Sequence, residues 1–261
     1  MWILRTYQLI LFFLVVPLLA PHVIRADPSI RLAGMVEKYR SLVTDSHGDL
    51  SLLKQRTVEI ERSLPHLSAD KPAARDAYIA LAKVHFLYGE MGTKKGERIK
   101  LYQQCAEYGH KAVDLDDNSA EAHFWYFSGL AREVELKGIL KAVMTGTVFK
   151  VKGQIVRAHE LNANDAYILS GLGGYYWKAP KIIGGSKEKA RDYLEEAMKS
   201  DPNLSFARLT LAKVLIDMKE KKRAKEELDK VLHLQAPSDP NFYQFVNLAD
   251  AQRYWDKVKD E

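Results

Sequence analysis

Two stretches in the C-terminal half of the chain decide the fold: SKEKARDYLEEAMKSDPN at residues 186–203 and KKRAKEELDKVLHLQAP at residues 221–237. In each stretch a small residue is followed four positions later by a leucine, and three positions after that by another small or short side chain. The matching positions are 34 residues apart: Ala190 and Ala224, Leu194 and Leu228, Ala197 and Val231. The spacing puts the three side chains on one face of a helix and indicates a repeated helical unit.

A period of 34 residues is the length of a tetratricopeptide repeat, which is a helix–turn–helix unit. The first helix of such a unit carries the pattern Leu-Gly-x-x-Tyr, and Leu172-Gly173-Gly174-Tyr175-Tyr176 matches it ahead of the first stretch. Ahead of the second stretch, Leu211-Ala212-Lys213-Val214-Leu215 is a conservative variant. Alternating β-branched runs between hairpin turns are missing from the sequence. We therefore predict an all-α fold in which tetratricopeptide-like antiparallel helix pairs stack into a right-handed solenoid.

Earlier units follow the same pattern with insertions. Ala158 precedes Ala197 by 39 residues, so five extra residues are expected in the loop at 179–185. Ala112 precedes Ala158 by 46 residues, and the extra dozen are expected around 134–149 as a longer helix pair. The predicted organisation is an N-terminal helical segment at 27–69, degenerate repeats at 70–237 and a C-terminal capping helix at 238–261.

The first 26 residues have the layout of a secretory signal peptide. An uncharged stretch from Leu9 to Ala20 follows Arg5, and Ile24 and Ala26 occupy the −3 and −1 positions of a cleavage site before Asp27. The apolar stretch is shorter than the roughly 20 residues that span a bilayer. We predict a periplasmic or otherwise exported protein; the alternative is a membrane anchor formed by residues 9–24.

A series of segments also resembles known families: Glu121-Ala122-His123-Phe124-Trp125-Tyr126, Ala158-His159-Glu160-Leu161-Asn162, Leu172-Gly173, and the segment 184–190. The series resembles the TatT family of periplasmic components associated with TRAP-type transporters, and the regulator-of-microtubule-dynamics proteins. The resemblance covers about residues 70–235. It implies a tetratricopeptide fold and, through TatT, an accessory role in solute uptake with an extracytoplasmic solute-binding protein as partner. TatT proteins are lipoproteins, whereas no cysteine lies near this cleavage site.

Composition and motifs argue against an enzyme. The net charge of +5 is small for 261 residues, so a nucleic-acid partner is not expected. The single cysteine, Cys105, occupies a small repeat position, and the eight histidines lack the HExxH spacing of zinc hydrolases. We predict no catalytic residue, no metal and no cofactor.

Aromatic residues indicate a binding groove. In a tetratricopeptide stack the first helices line the concave surface, and their second, fifth, ninth and twelfth positions face inward. Counted from Leu172 as the seventh position, these are Tyr167, Ser170, Gly174 and Trp177, and in the next unit Phe206, Leu209, Lys213 and Ile216. The aromatic run that starts at His123 adds His123 and Trp125. The candidate groove residues are therefore Tyr167, Ser170, Trp177, Phe206, Leu209, Lys213, Trp125 and His123; packing in the core is the alternative for each aromatic residue.

The predicted function is that of an exported scaffold that binds a protein, a peptide or a small apolar ligand in this groove. The alternative is a cell-envelope assembly scaffold that docks to a membrane complex through its convex face. The sequence leaves homo-oligomerisation open.

Overall fold

The computed structural model describes residues 50–67 and 70–259, and these residues form helices joined by short turns, with no strand among them. The predicted all-α fold class is confirmed. The predicted signal peptide at 1–26 lies outside the described residues, as do residues 27–49, 68 and 69 of the predicted N-terminal segment. Within the part of the chain that is described, no helix is long and apolar enough to cross a membrane.

The helices follow one another in simple order. They are α1 (Leu50–Ser63), α2 (Lys71–Met91), α3 (Lys95–Leu115), α4 (Ala120–Lys137), α5 (Ile139–Met144), α6 (Thr147–Leu161), α7 (Ala166–Lys178), α8 (Lys187–Ser200), α9 (Ser205–Asp217), α10 (Lys221–Leu232), α11 (Pro240–Phe242) and α12 (Leu248–Val258). Short 3₁₀ turns lie at Leu64–Leu67 and Lys181–Ile183, and a π-helical segment, Tyr243–Asn247, joins α11 to α12.

Four antiparallel pairs make up the stack: α2 with α3, α4 with α6, α7 with α8, and α9 with α10. Side chains in the turns cap the N-termini of several of these helices. Ser119 accepts a hydrogen bond from the backbone N–H of Ala122, Asp165 from that of Ile168, and Ser186 from that of Lys189. Each of these contacts satisfies an N–H group that has no partner inside the helix.

The predicted repeat positions form the contacts between the helices of a pair. Ala190, Leu194 and Ala197 of α8 are fully buried, and so are the matching residues of α10. Gly173 of α7 lies so close to α8 that an added Cβ would be 2.5 Å from Leu194 Cγ. The small residues thus set the distance between paired helices, as the 34-residue spacing predicted.

The insertion before Ala158 differs from its prediction. Instead of a longer helix pair, the extra residues form the short helix α5, which is set off by Gly138 and Gly146. Both glycines have positive φ values, 100° and 70°, which side-chain-bearing residues rarely adopt. These turns place α5 outside the regular stack.

The C-terminal segment folds back over the concave side. The ring of Phe242 stacks on that of Trp125 at 6.5 Å and contacts Phe86 of α2 at 6.0 Å, while α12 packs against α10. Asp239 accepts hydrogen bonds from the backbone N–H groups of Ser205 and Phe206 at the start of α9. The segment therefore joins the first and last helix pairs across the concave face.

Candidate binding cavity

The concave face encloses a cavity of about 540 Å³. Its walls come mainly from the first helices of the four pairs, α2, α4, α7 and α9, and from the C-terminal segment. Val148 and Val151 of α6 and Ile139 of α5 also line the cavity. The volume is typical of pockets that take up small molecules or the anchoring side chains of a partner.

One wall of the cavity is aromatic. Phe86, Trp125 and Phe242 form a cluster in which the Phe86 and Trp125 ring centroids are 5.7 Å apart. Tyr167 extends this cluster toward α9 with its ring 6.5 Å from that of Trp125, and Phe206 lines the cavity beside it. Stacked and edge-on rings hold each other in place, so the wall is rigid and apolar.

A network of ion pairs lies at the α2–α4 end of the cavity. Arg132 contacts Glu90 at 2.8 Å through Nε and Glu135 at 2.7 Å through Nη1. The Tyr102 hydroxyl donates a hydrogen bond of 2.7 Å to Glu90. Burial disfavours the charged form of Glu135, but the Arg132 guanidinium, helped by Lys178, outweighs it and lowers the Glu135 pKa. Glu135 is thus held in its ionised form, and both carboxylates are paired with Arg132.

A second group of charges lies between α9 and α12. Lys213 Nζ is 2.9 Å from Asp250, which also pairs with Arg253 at 2.7 Å. Burial lowers the pKa of Lys213, and Asp250 offsets part of this effect. Each of these charges has a partner within the cavity wall, so an apolar group that enters the cavity need not supply one.

Seven of the eight predicted groove residues line this cavity: Tyr167, Ser170, Trp177, Phe206, Leu209, Lys213 and Trp125. Trp125, Ser170 and Leu209 are buried in its floor. The other four are partly exposed and form the accessible surface. Trp177 lies at the rim, where its indole N–H donates a hydrogen bond of 2.7 Å to Asp217 and Lys178 Nζ lies 3.7 Å from its ring centre.

His123 is the exception, and its assignment to the groove is wrong. The side chain is 3% exposed and lies outside the cavity lining. Nδ1 contacts Gln154 of α6 at 2.6 Å, and Nε2 contacts the backbone oxygen of Asp117 at 2.9 Å. Because neighbouring residues on a helix point in different directions, His123 and Trp125 face opposite ways, and His123 links α4 to α6.

Sequence reasoning missed several residues that line the cavity, although the repeat register predicts their positions. The helix caps Ser119 and Asp165 are 46 residues apart, and subtracting 46 from the four inward positions of α7 gives Glu121, Phe124, Ser128 and Ala131 on α4. The last three of these line the cavity, whereas Glu121 does not. Adding 34 to Lys213 and Ile216 gives Asn247 and Asp250, which also line it, whereas Ile216 itself does not.

The single cysteine of the chain, Cys105, lies in the packed interior. The Cys105 thiol is fully buried and donates a hydrogen bond to the Trp125 carbonyl oxygen at 3.4 Å, and burial raises its pKa. It is therefore a packing residue and not a nucleophile. Among residues 50–67 and 70–259, no group of three or more His, Cys, Asp or Glu side chains could hold a metal ion.

Comparison with known proteins finds a solved structure of the same fold and curated relatives of similar sequence. Among solved structures, a thermophilic TPR protein of Thermus thermophilus aligns with a TM-score of 0.61 and 15% identity, over 88% of this chain and 100% of that one, and it has the same fold. Among curated proteins, Regulator of microtubule dynamics protein 1 of Bos taurus is 26% identical over 149 residues, which is 51% of this chain and 46% of the relative. The Pongo abelii protein of that name is 26% identical over 148 residues with the same coverage.

The chain thus spans about half the length of the curated relatives that it matches. The model of the family described as Regulator of microtubule dynamics protein 1-3 matches residues 50–241, which include all four helix pairs and the start of the C-terminal segment. The chain belongs to this family.

Proposed function

We propose that the chain is a non-enzymatic binding scaffold that anchors apolar side chains of a protein partner in its concave cavity. The observation that carries the proposal is the convergence of four first helices and the C-terminal segment on one cavity with an aromatic wall. Tyr167, Trp177 and Phe206 are partly exposed there and available for contact. Buried aromatic anchors supply most of the binding energy at protein interfaces, and stacked helix pairs supply a concave surface for them.

A small apolar ligand is the second candidate. It is favoured by the volume of about 540 Å³, which falls in the range of small-molecule pockets. It is also favoured by the pairing of Arg132 with Glu90 and Glu135, because these charges need no partner from a ligand. The two candidates use the same aromatic wall and differ only in the occupant.

Membership of the regulator-of-microtubule-dynamics family and the resemblance to TatT suggest different protein partners. The name of the curated relatives describes them as regulators of microtubule dynamics, so we propose polymerised tubulin as the first partner to test by co-sedimentation. The resemblance to TatT would instead supply an extracytoplasmic solute-binding protein of a TRAP-type system. An envelope assembly complex bound through the convex face remains the other hypothesis.

Site-specific photo-crosslinking tests the proposal. A benzophenone amino acid placed at Phe206 lies in the cavity, and the same group at Lys222 on the exposed side of α10 serves as the control. We expect a crosslinked protein from position 206 and not from position 222. A small molecule seen by native mass spectrometry, with no crosslinked protein, would favour the second candidate. Equal crosslinking from both positions contradicts a concave site.

A pair of glycine variants tests the same site without disturbing packing. An added Cβ would meet nothing within 4 Å at either Gly174 on α7 or Gly153 on α6, but only Gly174 lines the cavity. Gly174→Leu should narrow the cavity and weaken crosslinking from position 206, while Gly153→Leu should leave it unchanged. Both changes favour the helix by roughly 0.5–1 kcal/mol, so neither is expected to unfold the protein.

We further propose that the chain is exported and begins at Asp27 after cleavage; the layout of residues 1–26 supports this. The intact mass of the protein purified from the cells that produce it tests the cleavage. A mass that retains residues 1–26 would favour the membrane anchor.

A further inference from the structure

The insertion between α4 and α6 lies outside the repeat stack, and Ile139 is its one residue that lines the cavity. Its short helix α5 exposes apolar side chains that a packed helix would bury: Leu140 is 72% exposed and Met144 is 81% exposed. Phe149 at the start of α6 is 71% exposed, and Ile182 in the loop after α7 is 93% exposed. With Ile139 and Val143, these six residues are here called the apolar tip.

The two segments that carry the apolar tip lie on the same side of the molecule. Ile139 next to Leu140, and Ile183 next to Ile182, both line the cavity. Val148, which precedes Phe149, lines it too. The segments that carry the exposed side chains therefore all border the concave face.

The charges of the inserted segment have one sign. From Leu136 to His159 the chain has no aspartate or glutamate but five basic residues: Lys137, Lys141, Lys150, Lys152 and Arg157. The loop with Ile182 adds Lys181. Lys141, Lys150, Lys152 and Lys181 are exposed beside the apolar side chains.

We propose that the apolar tip inserts into the interfacial region of an anionic lipid bilayer, with these lysines on the lipid headgroups. Large apolar side chains flanked by lysines are what an interfacial segment needs, since it buries apolar area and gains attraction to anionic lipid. A second copy of the chain fits the tip poorly, because two tips would bring lysines of like charge together. An anionic bilayer can both bury the apolar side chains and attract the lysines.

A local fluorescent probe tests this on the full chain. Cys105 is fully buried, so a new surface cysteine can be labelled selectively with an environment-sensitive nitrobenzoxadiazole dye. Met144→Cys places the dye in the apolar tip, and Val58→Cys on α1 is the control at another exposed apolar residue. A local probe separates insertion of the tip from any membrane binding by the N-terminal residues.

With phosphatidylserine-containing vesicles, we expect a blue shift and increased emission at position 144 and no change at position 58. Phosphatidylcholine vesicles should give little response, and high salt should weaken the response because it screens the lysines. Lys141→Glu combined with Lys152→Glu should lower vesicle partitioning at least about tenfold, since each lysine near an anionic surface contributes on the order of 1 kcal/mol. Lys222→Glu is the matched charge control.

Each other result overturns the proposal. If the dye at position 144 does not respond to the anionic vesicles, the bilayer is ruled out as occupant of the apolar tip. The same holds if a protein partner shields position 144 and the vesicles do not. An equal response at positions 58 and 144 indicates general unfolding onto lipid. An equal response to neutral vesicles removes the role of the lysines.

Discussion

The α2–α4 and α7–α10 regions build helix contacts from small residues in two different ways. In α7–α10 the contact residues are mainly alanines, such as Ala190 and Ala224, and they meet side chains. Between α3 and α4 the contact is glycine against backbone: a Cβ on Gly109 would lie 2.5 Å from Tyr126 N and 2.6 Å from its Cα. A side chain can rotate away from an added methyl group but a helix backbone cannot, so the N-terminal region should be the less tolerant of the two.

The largest expected effect is at Gly109. Gly109→Ala forces α3 and α4 apart, and we expect a loss of about 3 kcal/mol or more in the free energy of unfolding. Gly153→Ala, where a Cβ meets nothing, should gain roughly 0.5–1 kcal/mol through helix propensity alone. Chemical denaturation of both variants measures the difference. Equal stability of the two would mean that α3 and α4 do not approach as described.

The second prediction compares the helix caps of α7 and α9. Asp165 caps α7 locally, but the equivalent residue before α9 is Leu204, and Asp239 caps α9 from 34 residues away. Burial raises the Asp239 pKa to about 6, against hydrogen bonds from Ser205 and Phe206 that lower it. An unfolded aspartate has a pKa of about 3.9, so the folded state binds this proton more tightly.

The stability that Asp239 contributes is therefore complete below about pH 4 and is lost as the pH rises through about 6. A shift of about two pKa units corresponds to at most about 3 kcal/mol. Asp239→Asn removes the titration, so the stability of the wild type relative to this variant should fall between pH 4 and 7. Denaturation curves across this range measure it, and parallel pH profiles for the two proteins would contradict it.

The third prediction probes the alanine contact. Ala190→Leu should overpack α7 against α8 and destabilise the protein by about 1–3 kcal/mol, which is less than Gly109→Ala because side chains such as Tyr176 can move. Ala249→Leu, on the exposed side of α12, is the control and should be nearly neutral. An unchanged denaturation midpoint for Ala190→Leu would mean that the repeat register does not set this contact.

The sequence predicted the regular region better than the inserted and remote ones, for physical reasons. The positions of Ala190, Ala224, Tyr167 and Phe206 follow from helical spacing within a unit, so counting was enough to place them. Asp239 and Phe242 act across the stack, and nothing local to them shows that they meet Ser205 or Trp125. Contacts of this kind depend on how the whole chain curves.

The predictions for His123 and for the insertion were wrong for a related reason. Assigning an aromatic run to the groove ignored the turn of about 100° between neighbouring helix positions, which separates His123 from Trp125. The dozen inserted residues were counted correctly, but Gly138 and Gly146, at which the chain breaks into α5, were not recognised. The length of an insertion is visible in a repeat register, whereas its conformation depends on where the glycines lie.

The smallest expected change in stability is at Trp177, which separates binding from packing in the α7–α10 region. Its ring is only partly buried and rests on Lys178, and its N–H is bonded to Asp217. Trp177→Ala should therefore cost about 1–2 kcal/mol in the free energy of unfolding, below the roughly 3–5 kcal/mol of a fully buried aromatic residue. It should weaken binding of the partner crosslinked from position 206 by about 2 kcal/mol or more, as the loss of an anchor residue does.

Trp177→Phe is the matched variant, because it keeps the ring and removes the N–H that Asp217 accepts. If the ring itself makes the contact, Trp177→Phe should retain most of the affinity while losing the hydrogen bond to Asp217. Affinity and thermal unfolding are measured on the same preparations of both variants. A large loss of stability in Trp177→Ala with unchanged affinity would make Trp177 a packing residue and move the binding surface to Tyr167 and Phe206, deeper in the cavity.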